Sequence, residues 1–213
     1  MFNCTYITAN DAFINLYELI NSQRIHKNGT RKVYNVGIKI LEPQNNLITA
    51  VGRRWSLGYA NREWEWYLSK NRSVSELKKF APIWDKMHNG NNLVNSNYGF
   101  LWNQNNQLEK VIAKLQNDPL TRQAWITIYN GNNMKDFVFD TPCTLSIGFI
   151  IEGGVLCMTV LMRSNDLWYG FCNDQYCFSK LQSYVAEKLK LDVGWYYHYA
   201  ADMHLYRQHF CKL

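Results

Sequence analysis

The chain has 213 residues, 47% hydrophobic and 19% charged, with a net charge of +6. That is enough apolar mass for one sizeable core and too much for a disordered chain. No stretch approaches the roughly 20 apolar residues of a membrane span, and the positive charge asks for an anionic partner.

The positive residues are spread out, with only short pairs such as Arg53-Arg54 and no basic tail. A phosphate-bearing small molecule is therefore favoured over direct nucleic-acid binding. The opening MFNCTYITANDAF has no basic region followed by an apolar run, so no signal peptide is expected. The six cysteines form no CxxC pair, and no histidine cluster has metal spacing. A soluble cytoplasmic protein with reduced thiols and no metal site follows as the expectation.

In chain order, Asn10 or Asp11 is predicted to cap a helix whose buried stripe is Phe13, Leu16, Tyr17 and Ile20. KNGT (Lys27 to Thr30) is a turn, and RKVYNVGIKILE reads as a strand with Val33, Val36 and Ile38 among its apolar positions. A helix is expected over 61–69, carrying Glu63, Trp64, Trp66 and Tyr67. SVSE (73–76) has the spacing of a capping box. A loop over 89–99, a helix over 108–116 and a strand over 123–130 follow. TLSIGFII and VLCMTVLM read as a strand pair turning at Glu152-Gly153-Gly154. A helix over 179–191, with Leu181, Tyr184, Val185 and Leu189 inside, leads to the aromatic strand GWYYHYAADMHLY. Helices interleave with strands and no repeat or linker is visible. The expectation is an α+β (mixed α/β) class and one domain over 1–213.

DTPCTLS places Cys143 after Pro142 at the mouth of an apolar strand. Read alone, this is either an attacking thiolate or an ordinary strand-edge thiol. Glu63 alone is either a catalytic or a surface helix carboxylate. His204 alone is either a ligand or a strand histidine bonded to backbone.

The ordered set of segments decides between these. REWEWYLS, APIWD, NYGFLW, NDPLTRQ, PC, RSND, GFCND and DMHLY follow one another across about residues 27–209. In that order they resemble the thymidylate synthase family. The segments REWEWYLSK, NSNYG and MRSNDLWYGFCND are most similar to its phage deoxycytidylate (dCMP) 5-hydroxymethylase branch.

The resemblance implies a large mixed sheet flanked by helices and a sheet-to-sheet homodimer. It also implies 5,10-methylenetetrahydrofolate as co-substrate and a pyrimidine nucleoside monophosphate as substrate. By the same resemblance Cys143 is the nucleophile that adds to carbon 6 of the ring, Glu63 the catalytic glutamate and Tyr98 a tyrosine near the nucleophile. Arg163 and Ser164 match phosphate ligands, and Lys27 a further one. Arg122 reaches the phosphate site of the partner subunit, although the second arginine of that pair is here Gln123. His204 and Tyr206 match ligands of the sugar 3′-hydroxyl. Trp84 packs on the pterin and Asp166 accepts from its ring N–H groups.

Asp174 stands four residues after Gly170, where synthases read the base with Asn. A carboxyl sharing one proton with N3 and accepting from the amino group fits cytosine, whereas an ionised carboxyl clashes with uracil. A one-residue shift onto Asn173 would restore the uracil reading. The chain runs only seven residues past Tyr206, so a C-terminal lid over the folate is expected to be missing or replaced. These residues predict a hydroxymethylase acting on dCMP or CMP. A deoxyuridylate hydroxymethylase and a thymidylate synthase stand as alternatives of the same chemistry. A non-catalytic nucleotide- or nucleic-acid-binding protein is the alternative of another class.

Overall fold

The structure is a computed structural model and describes residues 2–132, 134 and 138–213. Its frame is a mixed sheet of seven strands: β1 (Phe2–Tyr6), β2 (Thr30–Ile40), β3 (Trp125–Thr127), β4 (Thr144–Glu152), β5 (Val155–Met162), β6 (Asn165–Asp166) and β7 (Asp192–Tyr206). The order is β1-β2-β7-β5-β4-β3, with β6 paired to β7. β1/β2, β5/β7 and β6/β7 are parallel; the other pairs are antiparallel. A parallel return needs a crossover. Helix α1 (Ala9–Asn21) supplies one between β1 and β2, and α6 (Cys172–Leu189) supplies the other before β7. Helices α2 (Leu57–Ser69), α3 (Trp84–Met87), α4 (Tyr98–Asn103) and α5 (Gln107–Asn117) complete the α+β arrangement.

The stripe expected for α1 is the one observed: Phe13, Leu16, Tyr17 and Ile20 are buried. Its cap differs. Thr8 accepts from the Asp11 N–H at 3.1 Å, and the Asp11 carboxylate accepts from the Thr8 N–H at 3.2 Å. Asp11 thus serves as the third residue of a capping box rather than as the cap. The SVSE segment makes no such box. Its serine hydroxyls pair with each other at 3.0 Å, and Ser73 bridges to Leu93 instead.

Helix α2 starts four residues before the expected point, capped by Ser56. Helix α6 starts seven residues early, continuous with a π-turn over Leu167–Phe171. Inside α6 the buried side chain is Gln182, not Tyr184, which is 37% exposed. Three backbone carbonyls, of Leu156, Gly194 and Trp195, accept from the Gln182 amide nitrogen, so that donor keeps its partners although buried. The short strand β1 carries too little periodicity to be read from sequence. It forms because β2 offers it a parallel edge.

In β7 the buried residues are Tyr196, His198 and Ala200, then Met203 and Leu205. The inward alternation therefore shifts by one after Ala200. Asn35 of β2 lies beside the shift with φ 56, and its side-chain Oδ1 accepts from the Tyr199 hydroxyl at 2.6 Å. The shift leaves Asp202, His204 and Tyr206 on the side away from Met203 and Leu205. No helix among the described residues is long and apolar enough to cross a membrane.

Candidate active site

Two strand ends define the centre. Cys143 immediately precedes β4 and Arg163 immediately follows β5, and these strands are antiparallel neighbours with Thr144 opposite Met162. Pairing alone thus brings two residues twenty apart in sequence side by side. The Arg163 backbone N–H donates to the Cys143 carbonyl at 2.8 Å. Its guanidinium donates to the carbonyls of Pro142 and Thr141, at 3.0 and 2.9 Å, and to the Cys143 sulfur at 3.7 Å. The guanidinium is exposed, the thiol half-buried. Arg163 favours the thiolate, yet burial wins and the Cys143 thiol is pushed up to about 11. At neutral pH the sulfur keeps its proton.

Glu63 lies on α2 and is buried. Loss of water raises its carboxyl from an ordinary 4.5 to about 7, against the opposing hydrogen bonds of Tyr67 and Tyr59. The Tyr67 hydroxyl donates to Oε1 at 3.2 Å, and Oε2 is buried with no hydrogen-bond partner among the described residues. Trp64 is half-buried beside the buried Trp102, at 6.2 Å between rings, and the rings that act on the Glu63 carboxyl are Tyr67 and Tyr59. Trp84 of α3 is buried edge-on to Trp66 at 5.3 Å, and its indole N–H donates to the Tyr59 hydroxyl at 2.9 Å.

Tyr98 opens α4 and stacks on Phe178 at 5.6 Å. Its phenol is raised by burial and by the nearby charges of Asp174 and Cys143. Asn97 holds the tyrosine in place. Its amide donates to the carbonyls of Trp66 and Asn71, and its oxygen caps the Phe100 N–H at 2.7 Å. Asp140, which sequence reasoning missed, ties this loop to the approach to Cys143. Its Oδ2 accepts from the backbone N–H groups of Asn95 and Ser96 at 2.8 and 2.7 Å. A lone carboxylate before a Pro-Cys pair carries no local signal of this.

Asp174 sits in the first turn of α6. Burial, and next the charge of Glu63, hold its carboxyl well above the usual range. Oδ2 accepts from the Asn165 amide at 2.7 Å. Gly170 permits this approach, since a Cβ there would lie 2.9 Å from the Asn165 amide nitrogen and 3.4 Å from Asp174 Oδ2. The neighbouring Asn173 is engaged elsewhere, its oxygen accepting from the Trp55 indole at 2.8 Å.

At the other end of the cluster β6 sets Asp166 opposite His204 of β7. Asp166 caps the π-turn, accepting from Trp168 and Tyr169 at 3.0 and 3.3 Å; its carboxyl is raised by burial. His204 Nδ1 pairs with Asp202 Oδ1 at 3.0 Å, and Lys32 of β2 pairs with Asp202 Oδ2 at 2.6 Å. The alternation Asp-x-His hints at the first contact. The second depends on strand pairing that no local pattern reveals. Tyr206 packs edge-on to His204 at 5.1 Å, and Ser164 is half-buried between Arg163 and β6.

Two predicted residues stand apart. Lys27 is exposed in the turn that leads into β2. Arg122 is exposed before β3, where Trp125 faces Gly148, five residues along β4 from Cys143. At the rise of a strand that is roughly 17 Å, so the structure does not bring Arg122 into the site of its own chain. Among the described residues no group of three His, Cys, Asp or Glu forms a metal site.

A thiol, a guanidinium and buried carboxyls at the end of a mixed sheet are the groups that an enzyme working by covalent addition to an anionic substrate would use. Comparison narrows the class. The thymidylate synthase family model matches residues 20–213. Deoxycytidylate 5-hydroxymethyltransferase of Enterobacteria phage T4 is 31% identical over 80% of this chain and 69% of its own. Deoxyuridylate hydroxymethyltransferase of Bacillus phage SP01 is 37% identical over 50% and 29%. Thymidylate synthase of Bacillus atrophaeus is 25% identical over 78% and 77%. The chain belongs to the thymidylate synthase family, whose members are one-carbon transferases using methylenetetrahydrofolate as co-substrate.

The residues fit that co-substrate. Asp166 keeps acceptor lone pairs beyond its two capping bonds, and Trp84 with Tyr59 borders the Glu63 carboxyl, whose Oε2 lacks a partner among the described residues.

Proposed function

We propose that the protein is a 5-hydroxymethyltransferase acting on dCMP or CMP, and that residues 1–213 act as one unit. The observation that carries the reading is Asp174. A carboxyl, raised well above its usual range, stands where the base edge must be read. A protonated carboxyl offers cytosine a donor for N3 and an acceptor for the amino group. Asn173 supports the same register, because its amide is turned to Trp55.

Arg163 and Ser164 take the phosphate, and the Arg163 fork suits two charge-assisted bonds. Lys27 adds a further charge from its turn. His204, oriented through Asp202, and Tyr206 hold the sugar 3′-hydroxyl. The ring then lies against Cys143. The Cys143 sulfur adds to carbon 6 as its proton leaves, and carbon 5 becomes enamine-like and nucleophilic. Methylenetetrahydrofolate, held by Asp166 and Trp84, supplies the one-carbon unit. Glu63, with a carboxyl near 7, takes and returns protons at the pH of the cytoplasm, where the reaction is placed. Tyr98 holds the nucleophile's side of the ring. Carbon 5 then loses its proton as tetrahydrofolate departs, water adds to the methylene so formed to complete the hydroxymethyl group, and expulsion of the thiol regenerates Cys143.

The sheet face bearing Trp125, Leu161, Tyr197 and Tyr199 carries exposed and half-buried apolar side chains, which supports a sheet-to-sheet homodimer. In it, Arg122 serves the phosphate site of the second copy.

Incubation with dCMP, CMP or dUMP plus methylenetetrahydrofolate, with products weighed, tests the reading. Hydroxymethylated cytidylate is expected. Turnover of dUMP with none of dCMP or CMP would overturn it, and a methylated product would replace hydroxymethylation by reduction.

A further inference from the structure

Behind Asp174 runs a row of buried polar side chains that the reaction itself does not use. The Tyr196 hydroxyl lies 2.6 Å from His198 Nδ1, His198 Nε2 lies 3.1 Å from Asn165 Oδ1, and the Asn165 amide donates to Asp174 Oδ2 at 2.7 Å. Tyr196, His198 and Asn165 are all at most 2% exposed. Tyr196 and His198 are alternate residues on the packed face of β7, beneath Phe171, while Asn165 comes from β6.

The polarity of this row is determined from its far end. Burial raises the Tyr196 phenol well above its ordinary value and lowers the His198 ring to about 3, so the first is a hydroxyl and the second a neutral imidazole. A neutral imidazole has one donor and one acceptor nitrogen. The phenol's hydrogen-bond partner among the described residues is His198 Nδ1, so the hydroxyl proton goes there and Nδ1 accepts. The ring proton then sits on Nε2 and is donated to Asn165 Oδ1. With its oxygen engaged, Asn165 turns its NH2 to Asp174, and Oδ2 must accept.

We infer that Tyr196, His198 and Asn165 are positioning residues that decide which pyrimidine Asp174 selects. The inference rests on the cytidylate reading. A neutral carboxyl alone is ambiguous: with the proton on one oxygen it matches the cytosine edge, and with the proton on the other it matches uracil. The ring cannot turn over to choose, because the Cys143 sulfur and the phosphate site fix it at both ends. The relay biases the choice, because a carbonyl oxygen accepts the Asn165 N–H better than the carboxyl's hydroxyl oxygen does. Oδ2, bound by Asn165, is kept as the acceptor that also receives the cytosine amino group. Oδ1 carries the proton and donates to N3. Uracil would then meet donor with donor and acceptor with acceptor, leaving buried groups unpaired.

Tyr196→Phe keeps the ring and deletes the hydroxyl that fixes the first bond. His198 is then free to move its proton to Nδ1, the Asn165 amide to turn over, and the Asp174 proton to shift to Oδ2. The expected result is a fall of about tenfold or more in the ratio of kcat/KM for dCMP over dUMP, with the fold retained by circular dichroism. His198→Gln, which can accept from Tyr196 and donate to Asn165, should keep most of the ratio, and His198→Leu should lose it. Nitrogen-15 NMR of the wild type should show His198 as the neutral Nε2–H tautomer.

A wild type that prefers dCMP, with the ratio unchanged in Tyr196→Phe, would overturn the relay and leave the cytidylate reading standing. An Nδ1–H tautomer or an imidazolium would overturn it as well, even if the variants fail to fold. A wild type that prefers dUMP would overturn the cytidylate reading and the inference together.

Discussion

Cys143 and Glu63 show how burial sets chemistry residue by residue. The sulfur is held up to about 11 although a guanidinium touches it, because desolvation outweighs one exposed cation. Attack therefore requires proton removal in the same step. Cys143→Ala should lower turnover by about 10⁴-fold or more, roughly 5 kcal/mol of barrier, while calorimetry still detects nucleotide binding. Glu63 makes a thermodynamic prediction. An unfolded carboxyl loses its proton near 4.5, and the folded one keeps it to about 7. Between those values the folded state binds more protons, so this group's contribution to stability falls as pH rises from about 4.5 to about 7 and is flat above. The loss is on the order of 3 kcal/mol. Urea titrations across that window should show the decline in the wild type and a smaller decline in Glu63→Gln. Equal slopes would mean that the carboxyl is hydrated in solution.

At the scale of elements, the site depends on how closely α2 and α4 approach. A Cβ at Gly99 would lie 1.7 Å from the Tyr67 carbonyl oxygen, a backbone atom that cannot step aside. Gly99→Ala must therefore push apart the helices carrying Glu63 and Tyr98. We expect a cost of about 3 kcal/mol and a loss of turnover larger than the loss of nucleotide affinity, measured by denaturation, kinetics and calorimetry. The helix periodicities and the β4–β5 hairpin were legible in sequence. The π-turn and the early start of α6 were not. The aromatic run over 167–171 has no helical stripe, and Asp166 caps it through a carboxylate that reads equally well as a ligand.

For the whole molecule, the position of Arg122 argues for a shared site. It is remote from Cys143 in its own chain, so under the proposed reading its phosphate contact would be to a second copy. A mixture of inactive Cys143→Ala and weakened Arg122→Ala chains should regain activity, because one hybrid site unites an intact Cys143 with an intact Arg122. With random reassortment about a quarter of the sites are whole. Mixing without recovery, in protein shown by sedimentation to be dimeric and exchanging, would place Arg122 outside the phosphate site.

The order of motifs along the chain determined the family and singled out the candidates for nucleophile and base-reading carboxyl, because each is a residue type at a fixed spacing. What only the tertiary structure decided is the state of those residues. Whether Cys143 holds its proton, what fills the space around Glu63, and which way the bonds run from Tyr196 to Asp174 depend on burial and strand pairing. These bring together atoms far apart in sequence, and solvent exclusion, rather than residue identity, sets their charge.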